Sequence, residues 1–231
     1  MKHFFLIFAA SLFLFFTVAR AQDPASLMKQ IRERLEKIND YEANAMLKTE
    51  ISFLKVPDAR VKIYYKKPDR IKIKNENGIS LVPKETMSIS LYSLVNSPYQ
   101  SLDGGTDIFK GTPVRIIKLL PTDENGELVL ATLYIDSRRL LILKAKTTTR
   151  ESGTNEVELT YGRFLSTGLP DKIVFSFNTQ DFKLPKGITF DYDEGNVKKK
   201  TDENVKNQRG KIEITYLDYT LNKGLSDAVF K

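Results

Sequence analysis

The stretch Val61-Lys62-Ile63-Tyr64-Tyr65-Lys66-Lys67-Pro68-Asp69-Arg70-Ile71-Lys72-Ile73-Lys74 decides the fold. Val61, Ile63 and Tyr65 alternate with Lys62, Tyr64 and Lys66, and Ile71 and Ile73 alternate with Arg70, Lys72 and Lys74. Successive side chains of a strand point to opposite faces, so a period of two marks two half-buried strands. Lys67-Pro68-Asp69 between them is turn chemistry. A connection that short makes the strands antiparallel neighbours, with Tyr65 on the apolar face and Tyr64 on the outer one.

The same rhythm extends in both directions. Upstream, Ala45, Leu47, Thr49, Ile51 and Phe53 alternate with Lys48, Glu50 and Ser52. Downstream it returns over 114–120, 128–135, 140–144, 157–161, 173–177, 188–192 and 212–219, separated by turn residues at 75–78, 123–126, 136–137, 151–153 and 168–171. These spacings predict an antiparallel meander. Two segments break it. Residues 88–102 read as a short helix or irregular stretch ending in Asp103-Gly104-Gly105, and 195–210, almost without apolar residues, reads as a solvated loop. Before the first strand, Asp23 caps and Pro24 opens a helix. Its Leu27, Met28, Ile31, Leu35 and Ile38 recur at helical spacing opposite Lys29, Arg32, Glu33, Arg34, Glu36 and Lys37. The expectation is a mainly β (α+β) chain: one long antiparallel sheet of about 10–11 strands, an N-terminal helix and a shorter helical piece. A sheet that long must curl or close to bury its inner face. Residues 128–135 and 140–143 are apolar on both faces, so the second face needs a cover or is a patch with a purpose.

Composition narrows the function. Residues 4–19 form an apolar run between Lys2 and Arg20, and Ala19-Arg20-Ala21 has the small-x-small form of a secretory cleavage site. As a helix the run covers about 24 Å, short of a ~30 Å hydrocarbon core. Residues 1–21 are therefore expected to be a cleaved leader and 22–231 a single domain. With no Cys, the mature end carries no acylated cysteine, and a soluble exported protein is expected. The one His is His3, inside the leader, so Ser-His-Asp and Cys-His nucleophiles, zinc sites and disulfides drop out. Without Lys2 and Arg20 the net charge of +7 becomes +5, which suits anionic membrane surfaces or acidic partners better than nucleic acid. Asp123/Glu124 and Asp191/Asp193/Glu194 are ordinary turn residues. A calcium loop at 191–196 fails because Gly195 stands where a ligand oxygen belongs and Asn196 where glycine belongs. No phosphate-binding loop is present. The chain is expected to be no enzyme, with no metal and no cofactor.

The motif Tyr64-Tyr65-Lys66-Lys67-Pro68-Asp69-Arg70-Ile71 resembles the LolA-like family of outer-membrane lipoprotein-sorting proteins. The order of its surroundings agrees: export signal, amphipathic helix, a strand entered through Asp40-Tyr41, the strand end Tyr134-Ile135-Asp136, the turn Gly168-Leu169-Pro170, and a closing Gly224-Leu225-Ser226-Asp227 to Phe230. The resemblance implies a curved, incomplete antiparallel β-barrel covered by helices, working in the periplasm as a monomer. Its cavity would hold the acyl chains of a lipoprotein, or a lipid, in transit to the outer membrane. The implied partners are an inner-membrane release complex and an outer-membrane receptor, with no nucleic acid. In the family's carriers an arginine before the motif's proline helps hold the lid shut; Lys67 stands there in this chain, a point charge in place of a rigid fork. An alternative on the same fold is an envelope-stress sensor that recognises lipoprotein acyl chains.

On that reading the inward-facing residues Leu47, Ile51, Ile63, Tyr65, Ile71, Ile73, Leu130, Tyr134, Phe175 and Phe177 line the acyl-chain cavity. Leu27, Ile31 and Leu35 form the lid helix, and Lys67 stands at the mouth. Plain core packing accounts for each of them equally, because alternation fixes faces and not whether the interior is hollow.

Overall fold

The computed structural model describes residues 23–51, 54–55, 57–75, 91–123, 125–150, 153–178 and 209–230. The expected leader, the run 188–192 and nearly all of 195–210 lie outside them. Helix α1 (Pro24–Leu35) opens where the sequence places it: the Asp23 carboxylate accepts the Ser26 N–H at 3.1 Å. Twelve strands follow in chain order: β1 (Asp40–Ile51), β2 (Leu54–Lys55), β3 (Ala59–Lys66), β4 (Arg70–Asn75), β5 (Tyr99–Phe109), β6 (Thr112–Pro121), β7 (Leu128–Asp136), β8 (Leu141–Thr149), β9 (Gly153–Thr160), β10 (Lys172–Asn178), β11 (Arg209–Tyr216) and β12 (Thr220–Leu221). Helix α2 (Leu91–Asn96) lies between β4 and β5.

The strands form one antiparallel sheet in the order β4-β3-β1-β11-β10-β9-β8-β7-β6-β5, with β2 and β12 pairing at the ends of β1. Among the described residues β4 and β5 end the path without pairing to each other, so the barrel is incomplete. Registry carries a single inner row across the sheet: Thr49, Ile212, Phe175, Val157, Ala145, Leu133 and Ile117 stand opposite one another from β1 to β6. One phase of each strand therefore builds a continuous inner face.

Its cover is shorter than the face. The ten-strand path spans roughly 43 Å at ~4.8 Å per strand, whereas a twelve-residue helix is about 18 Å long. Leu27, Met28 and Ile31 of α1 pack with Leu94 and Val95 of α2 over Ile117, Leu119, Leu133, Ile135 and Leu159, which covers the β6–β9 half. A second cluster forms on the other half from Ala43, Ala45, Leu47, Ile51, Val61, Ile63, Phe177, Ile212, Ile214 and Tyr216.

The structure corrects two readings. The Gly104-Gly105 pair does not end a segment. It is a bulge inside β5, where register shifts between Asp103 and Thr106 and Gly105 takes φ +86. Leu130 and Tyr134 face outward. Strand β7 is apolar on both faces, and Ala131, Leu133 and Ile135 take the inner one. The outer face has its own cover, because the β5–β6 hairpin folds across it. The Phe109 ring lies 6.2 Å from that of Tyr134, Lys144 Nζ stands 5.8 Å over both, and Lys110 reaches Glu158 on β9 at 2.6 Å. The C-terminal segment straps the end of the sheet. Asp40 accepts the N–H groups of Lys223 and Gly224, and Asp227 pairs with Lys66 and Arg70.

The two faces predict unequal sensitivity. Leu133→Ala, at 0% exposure, should lower the urea unfolding free energy by about 2–5 kcal/mol. Leu120→Ala, outward and 37% exposed, should change it by about 0.5 kcal/mol or less.

Candidate functional site: an aromatic cavity beyond the end of helix α1

Where α1 stops, the inner face is hollow. The cavity measures about 150 Å³. Its floor is Val157 and Leu159 of β9, Ile173 and Phe175 of β10 and Ile214 of β11, with Ile63, Tyr65, Ile71 and Ile73 forming the wall toward the β4 edge. Leu35 and Ile38 from the end of α1, Tyr92 of α2 and the turn Gly168-Leu169-Pro170 cover it. A mainly apolar space of this size takes a benzene-sized guest. Pockets that enclose a drug-sized ligand run from about 300 Å³ upward. The volume present therefore admits the end of one hydrocarbon chain.

One end of the cavity is built of tyrosine. The rings of Tyr41 and Tyr65 stack at 5.1 Å, Tyr216 and Tyr219 at 4.7 Å, and Tyr41 meets Tyr219 edge-on at 5.3 Å. Phe164 closes the group against Tyr219 at 4.8 Å. Rings give large apolar area while each hydroxyl needs a partner. Tyr219 donates to the Pro170 carbonyl at 2.9 Å, and Tyr161 donates to that of Ile142 at 3.0 Å. Burial drives the phenols of Tyr41, Tyr65, Tyr161 and Tyr219 well above the ordinary value of 10.0 and pushes Tyr216 up to about 12. At Tyr41 and Tyr219 neighbouring phenols add to the effect of burial.

Three cations hold the cover, all on neutral acceptors. Arg32 donates through Nε to the Val95 carbonyl and through Nη2 to the Tyr99 hydroxyl, both at 3.1 Å. Arg34 donates to the carbonyls of Arg139 at 2.6 Å and Leu165 at 2.7 Å. Lys67 Nζ donates to the Glu36 carbonyl and to Asn39 Oδ1 at 3.2 Å, and stands 5.4 Å over the Tyr92 ring. Gly168 makes room for Arg34: a Cβ there would lie 2.7 Å from Arg34 Nε, and its φ of +78 already favours glycine.

Of the residues expected to line a cavity, Ile63, Tyr65, Ile71, Ile73 and Phe175 do so, joined by Leu35 of the lid set. Leu47, Ile51 and Phe177 share the inner face but pack in the solid cluster beside it, and Leu27 and Ile31 are core residues of the β6–β9 half. Leu130 and Tyr134 lie on the other face. Lys67 is not among the lining residues; it lies against Tyr92, which is. The sequence reading missed the tyrosine end and Arg34. The available signal was phase: Tyr41, Tyr216 and Tyr219 fall on or beside strand ends in the apolar register. Among the described residues there is no group of three metal-ligating side chains, and no helix is long and apolar enough to cross a membrane.

No protein-family model matches the sequence, and no curated protein matches it. Solved structures do resemble it. A DUF1329 family protein from Desulfovibrio piger superposes with TM-score 0.56 at 13% identity, covering 91% of this chain and 98% of that one. A LolA superfamily protein from Nitrosomonas europaea gives 0.55 at 10% identity over 91% and 98% of the two chains. A domain described as an outer membrane lipoprotein-sorting protein, from Vibrio parahaemolyticus, gives 0.52 at 13% identity over 90% and 97%. The class is thus an open antiparallel half-barrel with a helical cover over its concave face. Its fold is LolA-like.

Two measurements check the site. The raised phenol values contribute stability that is present below pH 10 and lost as pH climbs through 12 and beyond. Absorbance titration should find Tyr41, Tyr65, Tyr161, Tyr216 and Tyr219 ionising only together with loss of near-UV dichroism. Ionisation of every tyrosine near pH 10 with dichroism intact contradicts the packing. Gly168→Ala should lower stability by about 1–2 kcal/mol, read as a drop in Tm.

Proposed function

We propose that this protein is a carrier that sequesters an acyl chain of a lipoprotein or lipid and passes it to the outer membrane. Its leader, residues 1–21, would be removed on export, and the mature chain would work in the periplasm. The observation that carries this reading is the cavity: apolar inner face left uncovered by α1, with room for part of a chain. Each buried CH2 contributes about 0.8 kcal/mol. A chain leaving one apolar groove for another loses and regains nearly the same amount, so the hand-off requires little free energy.

The cover fits that task. A whole acyl chain exceeds about 150 Å³, so loading must spread Leu35, Ile38 and Tyr92 from the floor. Lys67 ties the end of α1 to Asn39 and lies against Tyr92 of α2, so one side chain touches both helical elements of the cover. Its contacts are hydrogen bonds to neutral groups and a ring face, which break without stranding a buried carboxylate. An inner-membrane release complex and an outer-membrane receptor, as partners, rest on the family resemblance alone.

Native mass spectrometry of the protein purified from its own envelope should reveal a co-purifying lipid or lipidated peptide. Delipidated protein should bind a fluorescent fatty acid, and Ile71→Trp, which fills the cavity from the β4 edge, should weaken that binding at least about tenfold while the fold persists. Absence of both the adduct and the binding would sink the proposal.

A further inference from the structure

Two cations, Arg34 and Lys67, lie against the cover of the cavity, at Gly168 and Tyr92, without a carboxylate partner among the described residues. Arg34 and the Glu36 carbonyl held by Lys67 sit two residues apart at the end of α1, so both cations are anchored at one lip. Neither makes an ion pair among the described residues; their acceptors are the carbonyls of Arg139, Leu165 and Glu36 and the amide of Asn39. The nearby Lys66 and Arg70 differ, because both pair with the carboxylate of Asp227. The C-terminal end of a helix supplies about half a negative charge, against two full positive ones. The side chains of Glu36 and Asp69 are exposed and form no ion pair with either cation. Behind this lip lies an apolar space for one chain end, about 150 Å³.

We infer that the cavity is built for a single-tailed anionic amphiphile, with the tail among Ile71, Ile173 and Phe175 and the oxyanion head at the rim on Lys67 and Arg34. This rests on the carrier reading and specifies its cargo. Lys67 releases Asn39 or the Glu36 carbonyl and turns an N–H to the head, exchanging a neutral acceptor for a charged one. A carboxylate and a phosphate monoester share the required chemistry. A cationic head would meet two like charges, and a neutral head would leave both cations as they are.

Calorimetric titration of the delipidated full chain with four twelve-carbon ligands tests this: dodecanoate, dodecyl phosphate, 1-dodecanol and dodecyltrimethylammonium. At least one anion should bind with one-to-one stoichiometry and about tenfold more tightly than 1-dodecanol, the worth of one charge-assisted hydrogen bond. The quaternary ammonium should bind more weakly than the alcohol. The better of the two anions identifies the head. Added salt should weaken the anion and leave 1-dodecanol unchanged. Lys67→Met should bring the anion and the alcohol closer together, and Lys67→Arg should keep them apart. Equal binding of anions and alcohol by the unmodified protein, two tails per chain, or a preference untouched by Lys67→Met overturns the anionic assignment and leaves apolar carriage standing. Failure of every tail to bind overturns carriage itself.

Discussion

One mismatch of dimensions governs this molecule: an apolar inner face roughly 43 Å wide beneath a helix about 18 Å long. Over β6 to β9 the helix does what a core helix does, and Leu27, Met28 and Ile31 are buried completely or nearly so. Toward β4 the face is capped, among the described residues, by its own side chains. The cap is built with rings, since Tyr41, Tyr65, Tyr216, Tyr219 and Phe164 supply more area per residue than any aliphatic side chain, and Tyr219 finds a partner for its hydroxyl at the Pro170 turn. Rings are rigid plates, and plates meeting at angles leave a gap. The cavity lies where helical cover gives way to aromatic cover.

This division explains how α1 is attached. Its first two turns are held by hydrophobic burial, which is lost only if the helix leaves the sheet. Its last turn is held by Arg34 and Lys67 on carbonyl oxygens, bonds worth about 1.5–3 kcal/mol each. The stiffness of the cover therefore falls along the helix, and the end over the cavity is the end that yields at least expense to the core.

Much of this was legible from residue order. Alternation placed the longer described strands except β5, whose opening residues read as an irregular stretch; a half-buried strand cannot hide its period. The hairpin Val61–Lys74 was read with Tyr65 on the apolar face, and the structure adds the register, which sets Tyr65 opposite Ile71. Phase was harder. In β7 both faces are apolar, so periodicity alone could not tell Leu133 from Tyr134; the β5–β6 hairpin, arriving from elsewhere in the chain, covers the outer set. The Gly104-Gly105 pair has the composition of a terminator, and only pairing with β6 makes it a bulge. The site was half legible for the same reason. Ile63, Tyr65, Ile71, Ile73 and Phe175 follow from strand phase, but which inner residues border empty space depends on where α1 ends relative to the sheet, a tertiary fact with no local signature. Arg34 was read as one charge among several on a polar helix face. Its role is set by Leu165 and Gly168, which lie far along the chain.

The order of the strands also bears on how the molecule comes into being. β1 pairs with β11, Leu47 with Ile214, across roughly 160 residues of sequence. As the chain emerges N-terminal end first, β1, β3 and β4 wait for the strand that joins them to the rest. Until then a three-stranded fragment displays its greasy side and an unpaired edge. Its commitment to fold is deferred to the moment β11 arrives.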